Sequence, residues 1–256
     1  MKKEIIIMDT TFFVDIPDNK LKEKGNTHNT ISFDNMEYKG THYILHYDKK
    51  TKNIPWRDGT PFVEIIVPQK IQLDPSGMAR KFGIKASSLE GKTDFDIIVD
   101  QQKYKERVAQ GKLPVIDIAG HGYYVALRES VLRLTSDFST QIYMPDKFND
   151  RSQEYEFYFR PATKEVVDIS PSITELPEGV VKIKLPHDVK LDPVAVARTN
   201  NLDIKAFLVK HPFEKELKAV VIPLDKTSVA DIVKRNNEPL LKKNIDITQK
   251  QKGQSL

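Results

Sequence analysis

The sequence predicts an α+β fold made of two tandem copies of one mainly antiparallel β module, each carrying a short capped helix. Three observations point there. Phe12, Phe13, Val14, Ile16 and Leu21 align at a constant offset with Tyr123, Tyr124, Val125, Leu127 and Leu132, and Ile5, Ile7 and Ile31 fall on Ile116, Ile118 and Ile142. One inserted residue later, Tyr43, Tyr47 and Thr51-Lys52 meet Tyr155, Phe159 and Thr163-Lys164. The strongest block reads Ile65, Pro68, Leu73-Asp74-Pro75 and Ala79-Arg80 in the first copy, and Ile183, Pro186, Leu191-Asp192-Pro193 and Ala197-Arg198 in the second. A tandem pair of this kind can pack about a pseudo-twofold axis.

Each copy opens on an apolar run, a tight turn and an aromatic-rich run, Ile5 to Met8 then Phe12 to Ile16, and Val115 to Ile118 then Tyr123 to Leu127. This pattern predicts a β-hairpin. Further strands are expected near 30–34, 41–47 and 62–67, with partners near 140–144, 153–160 and 180–185. A helix then starts at the repeated Leu-Asp-Pro, with Asp74 and Asp192 as caps and Pro at the first helical position, where no N–H is needed. Gly83 and Asn201, both tolerant of positive φ, stand where those helices stop. A last strand, Phe95 to Val99 or Leu217 to Ile222, closes each module.

Gln101 to Gln110 reads as a helix ended by Gly111, and Pro114 opens the second module. Ser228 caps a further helix through Val229, Ile232 and Val233, which Asn236-Asn237 and Pro239 are expected to stop. The organisation is therefore a first module over 1–100, a helical linker over 101–113, a second module over 114–225, and a C-terminal helix with a basic tail over 226–256. Beyond about residue 241 little remains to bury, so the tail is expected to be disordered.

Composition narrows the function. Charged residues make up 30% of the chain and mean hydropathy is -0.46, values of a soluble protein. No apolar run approaches the roughly 20 residues of a membrane span, and Asp9 interrupts Ile5 to Met8 before it can serve as a signal-peptide core, so cytoplasmic residence is expected. The absence of Cys removes disulfides, thiolate nucleophiles and sulfur-ligated metals. From residue 234 onward six basic residues face two acidic ones, which accounts for the whole formal net charge of +4. The modules themselves are neutral.

Chemistry-bearing motifs are few. There is no phosphate-binding glycine loop, His-Glu-x-x-His or Gly-x-Ser-x-Gly. Asp9-Thr10-Thr11 resembles the Asp-Thr-Gly of pepsin-like and retroviral aspartic proteases, but it lacks the glycine and Gly120 stands at the aligned position, so the resemblance fails. His42 and His46, four apart on a strand, lie about 13 Å from each other, too far to share a metal. They belong on the solvent face, opposite Tyr43, Leu45 and Tyr47. Ala79, Gly83, Ile84 and Leu89, and Ala197, Asn201, Leu202 and Phe207, have the spacing of a helix-turn-helix corner, although the modules lack the basic footprint of DNA binding.

Among the aromatics, Tyr155, Phe157 and Phe159 share a core face, leaving Tyr158 and one of Tyr123 and Tyr124 outside. The candidate binding residues are Tyr123, Tyr124, the turn residue His121, and Lys242 and Lys243 of the tail. No catalytic residue, metal ligand or cofactor site emerges. The expectation is a non-catalytic binding or interaction protein built from a duplicated module, whose partner the sequence does not identify, a protein being one candidate. One alternative is nucleic-acid or polyanion association through the tail and helix-turn elements, and another is an enzyme with a cleft between the modules.

Overall fold

In the computed structural model, which describes residues 3–238, the first half opens as an antiparallel meander. Strands β1 (Glu4–Ile7), β2 (Thr10–Asp15), β3 (Lys20–Glu23) and β4 (Asn26–Ser32) pair in sequence order. Every second residue of β2 is buried, which puts Phe12 and Val14 in the core and follows from the period of a half-covered strand. A second sheet joins β5 (Glu37–Tyr38), β6 (His42–Tyr47) and β7 (Val63–Pro68) in that order. Helices α1 (Lys70–Leu73), α2 (Pro75–Phe82), α3 (Asp94–Ile98) and α4 (Gln101–Tyr104) follow, and a π-helical turn, Lys105–Ala109, extends α4 towards Gly111.

The second half opens in the same way. Its strands β8 (Val115–Ile118), β9 (His121–Ala126), β10 (Val131–Leu134) and β11 (Gln141–Tyr143) form a meander. A five-stranded sheet takes β12 (Phe148–Asn149), β13 (Glu154–Arg160), β14 (Glu165–Val167), β15 (Val181–Leu185) and, after α5 (Asp188–Leu191), α6 (Pro193–Thr199) and α7 (Ile204–Lys210), the strand β16 (Val220–Pro223). Left-handed backbone recurs at aligned turns: Met8 and Ala119 (φ 56° and 52°), Asn19 and Ser130 (55° and 57°), Lys52 and Lys164 (55° and 61°), Gly83 and Asn201 (65° and 53°). Few residues adopt positive φ outside glycine, so four shared positions mark the same turn geometry at the same places in both halves.

Compactness divides the chain at other points than the repeat does. Among the described residues, one unit comprises 3–112 with Pro193–Phe213, the other Leu113–Asp192 with 214–238. The segment 193–213, which the sequence places in the second module, thus packs in the first unit. Val194, Leu208 and Val209 are buried in the core that holds Ile7, Phe12, Tyr43 and Met78. The second unit has its own core around Tyr123, Leu132, Phe157 and Ile183.

A buried polar network organises the first unit. Asp94 is fully buried; its carboxylate accepts from Tyr43 Oη at 2.5 Å and from the N–H groups of Lys70 and Ile71 at 2.9 Å each. The Asp94 N–H donates to Gln69 Oε1 at 2.7 Å, and Tyr38 Oη donates to the same oxygen at 3.2 Å. One side chain therefore caps the orphan donors at the start of α1 and ties α3 to β6. Burial, then the nearby Asp94 charge, push the Tyr43 phenol far above its ordinary pKa, so it stays a donor.

Two expectations are corrected. Phe95 to Val99, expected as a strand, forms α3, because Thr93 and Asp96 make a capping box and Asp94 must turn inward to meet its partners. The aligned closing segment of the second half does form a strand, at β16. Helical structure over 228–238 also runs through Asn236 and Asn237, while Pro239, the other expected stop, lies outside the described residues. Their side-chain amides donate to the carbonyls of Pro171, Ile173 and Thr174, and this outward bonding leaves the helical backbone undisturbed. The short strands β3, β5, β10, β12 and β14 have no expected counterpart.

Asp94→Ala leaves a hydroxyl and two N–H groups without an acceptor. In urea unfolding it is expected to cost about 3–5 kcal/mol, against about 0.5–2 kcal/mol for Asp74→Ala, which removes one cap bond. A second expectation concerns an aromatic pair present in both cores: Phe12 meets Tyr47 edge-on at 6.5 Å, and the aligned Tyr123 meets Phe159 edge-on at 6.4 Å. Neither tyrosine hydroxyl has a hydrogen-bond partner among the described residues, and each aligns with a phenylalanine in the other half. Tyr47→Phe and Tyr123→Phe should therefore unfold within about 0.5 kcal/mol of the wild type or above it; a large loss would mean that the hydroxyls are satisfied.

Candidate functional site

The sheet β5-β6-β7 positions an exposed apolar surface of the first unit that includes Ile66. Lys39 N–H donates to the His42 carbonyl at 2.8 Å across the turn between β5 and β6, which fixes the alternation along β6. His42, Ile44 and His46 point their backbone groups at β5, while Tyr43, Leu45 and Tyr47 point theirs at β7. With the register Tyr43↔Val67, Leu45↔Ile65 and Tyr47↔Val63, the N–H and C=O groups of Val63, Ile65 and Val67 are spent on β6. Those of Glu64 and Ile66 face away from it, along an edge that has no neighbouring strand among the described residues.

The outward face of this sheet is apolar where the other half is charged. Ile44 and Ile66 pair across β6 and β7, and Ile66 is 68% exposed. The aligned residues of the second half, Glu156 and Lys184, form an ion pair at 3.0 Å, and Glu156 also meets Lys182 at 2.7 Å. Burial acts to raise the Glu156 pKa, but hydrogen bonds from Lys182, Lys184 and Asn149 outweigh it and hold the carboxyl at about 2. Four residues before Ile66, the half-exposed Phe62 stacks on His46 at 4.4 Å, and His46 Nε2 lies 3.4 Å from Glu64. Trp56, 71% exposed, carries the Arg57 guanidinium 4.0 Å above its ring. An open groove of about 700 Å³ runs past Phe62, Arg57, Lys49 and Lys50.

The second half treats the corresponding edge differently. There β16 pairs antiparallel with β15 in the register Lys182↔Ile222 and Lys184↔Val220. Lys182 and Lys184 align with Glu64 and Ile66, so the backbone positions that are open on β7 are covered on β15.

The residues singled out by sequence are distributed otherwise. Tyr123 is fully buried in the second core and unavailable to a ligand. Tyr124 is the outer member of the pair, half-buried and stacked on the exposed Phe138 at 5.5 Å. His121 is partly buried, with Nε2 3.0 Å from the Pro161 carbonyl oxygen. The Asp74 carboxylate accepts from Gly77 N–H at 2.9 Å, and Asp192, fully buried before α6, has nearly the same backbone angles (−151°, 84° against −143°, 81°). Lys242, Lys243 and the expected tail lie outside the described residues. Among the described residues no group of three or more His, Asp or Glu side chains is placed to hold a metal ion, and no helix is long and apolar enough to cross a membrane.

Sequence reasoning missed Glu64, Ile66, Phe62 and Trp56. A usable signal was present, since the alignment that equates β7 with β15 sets Ile44 and Ile66 against Glu156 and Lys184. In comparisons with known proteins, no family model matches the chain, nor does any curated protein or solved structure.

The charge cluster on the second sheet has a pH consequence. A carboxyl held at about 2 against an ordinary 4.5 contributes stability that is complete above 4.5 and is lost as pH falls towards 2. Glu156→Gln is expected to shrink the loss of thermal stability over that window. Identical acid slopes for the two proteins would show that the cluster does not favour the ionised form.

Proposed function

We propose that the protein is a non-catalytic binding or interaction protein built from a duplicated module, and that its first unit takes an extended polypeptide segment onto the free edge of β7. The observation that supports this reading is the pairing of β15 with β16 at the positions where β7 has no neighbour. An edge strand offers its outward N–H and C=O groups as a template, and strand addition is a recurring mode of peptide recognition. Main-chain bonds to Glu64 and Ile66 supply the affinity, while Ile66 and Phe62 select apolar, β-branched side chains on the incoming segment.

The internal precedent also states the chemistry of the partner. β16 reads Val-Val-Ile-Pro and runs antiparallel to β15. A segment of that kind brings two alternating apolar residues over the Ile44 and Ile66 face, where the second sheet has only charge to offer. The recurrence of left-handed turns at aligned positions supports the duplication on which this comparison rests.

The probe is a labelled synthetic peptide with the sequence of residues 217–226, titrated into the full chain by fluorescence anisotropy. Ile66→Pro removes one outward N–H and leaves every bond between β7 and β6 in place, since proline is tolerated on an edge strand whose N–H faces solvent. It should weaken binding at least tenfold without lowering the melting temperature appreciably. Equal binding by wild type and Ile66→Pro, or no binding by the wild type, refutes the reading; self-association abolished by Ile66→Pro would give the edge to a second copy instead.

A further inference from the structure

The first unit holds a second feature that neither its fold nor its β7 edge accounts for. Lys70, the first residue of α1, is only 6% exposed, yet among the described residues no carboxylate pairs with its amine. Its Nζ donates to Asn19 Oδ1 at 2.9 Å and stands 5.5 Å and 5.7 Å from the centres of the Phe33 and Tyr43 rings. An ammonium has three protons to donate, and here one has an acceptor. Asp94 lies near, but its oxygens are taken by the Tyr43 hydroxyl and two backbone N–H groups. Buried charges in proteins are normally paired, so this amine is an exception that needs a reason.

Lys70 lines a cavity of about 230 Å³ whose walls include Phe33, Met36, Tyr38, Tyr43 and Phe207. At its mouth the acidic groups already have partners. Glu37 meets Lys39, Asp203 caps α7 through the Ala206 N–H, and Asp34 accepts from the Asn19 side chain. Lys210 adds a second positive charge to the rim. Burial pushes the Lys70 pKa down, which an incoming negative charge reverses. At the aligned position the second half carries Asp188, whose carboxylate accepts from Tyr155, so the feature belongs to the first unit alone.

We propose that this cavity binds a small monocarboxylate with an aromatic or branched apolar body, its carboxylate taking the two unused protons of the Lys70 ammonium. Size and charge both select this class. The cavity lies below the roughly 300–1,000 Å³ of sites for drug-sized ligands. Lys70 and Lys210 stand in the lining against Asp34, Glu37 and Asp203, a balance that accommodates a single negative charge better than a phosphate monoester carrying about −1.5 to −2. The aromatic walls receive the apolar body, as in most small-molecule sites.

The test uses the full chain and two probes of the same shape, benzoate and its neutral counterpart benzamide, in calorimetric titrations. Benzoate should bind at least tenfold more tightly than benzamide, and its affinity should fall as pH rises and the amine loses its proton. Lys70→Met keeps the apolar stem and removes the charge; benzoate binding should drop at least tenfold while benzamide binding is unchanged. Phe207→Ala, which removes a wall and leaves the amine, should weaken both probes. If Lys70→Met does not fold, the benzoate-to-benzamide ratio in the wild type and in Phe207→Ala decides alone. Equal affinity for the two probes, benzoate binding retained by Lys70→Met, or no binding of benzoate at concentrations on the order of 10 mM overturns the proposal.

Discussion

A short helix that begins in the interior exposes N–H groups that must find an acceptor, and this requirement governs the first unit. At the start of α1 the acceptor is Asp94, delivered from 24 residues downstream of Lys70. The same carboxylate receives the Tyr43 hydroxyl, so β6, α1 and α3 meet at one ion that is nowhere exposed. The second half satisfies its counterpart differently. His187 Nδ1 accepts from the Val189 N–H at the start of α5, and Asp188, the first residue of that helix, accepts from Tyr155, the residue aligned with Tyr43. For the aligned tyrosine hydroxyl, the first half thus brings a distant carboxylate, Asp94, whereas the second half carries its own at the position of Lys70.

The consequences spread outward from that choice. Because the segment around Asp94 must turn inward with its capping box, it is helical and does not lie along β7. In the second half the closing segment is free to extend, and β16 covers β15. The open edge of β7 and the unpaired amine of Lys70 are therefore two results of one arrangement. The outer face follows the same division. Covered β15 displays ion pairs among Glu154, Glu156, Lys182 and Lys184, whereas uncovered β7 displays Ile66 opposite Ile44. Exposed β-branched side chains on an unpaired strand are what proteins usually avoid, by charge or by bulges, unless something is to be placed there.

The parts of this protein written in local pattern were legible in the chain itself. The opening hairpins, the aromatic core strands β6 and β13, and the Leu-Asp-Pro helix starts with their left-handed stops at Gly83 and Asn201 all rest on periodicity, turn chemistry and capping within a few residues. Tertiary structure alone decided the rest. Phe95 to Val99 is too short an apolar run for its period to choose between helix and strand, and the choice fell to Asp94 and partners up to 51 residues away. Tyr123 and Tyr124 are adjacent and chemically alike, so only the pairing of β9 with β8 and β10 settled which ring enters the core. The placement of 193–213 in the first unit, the edge at Glu64 and Ile66, and the solitary charge of Lys70 all depend on which surfaces meet through space, and a linear pattern of residue types does not contain that information.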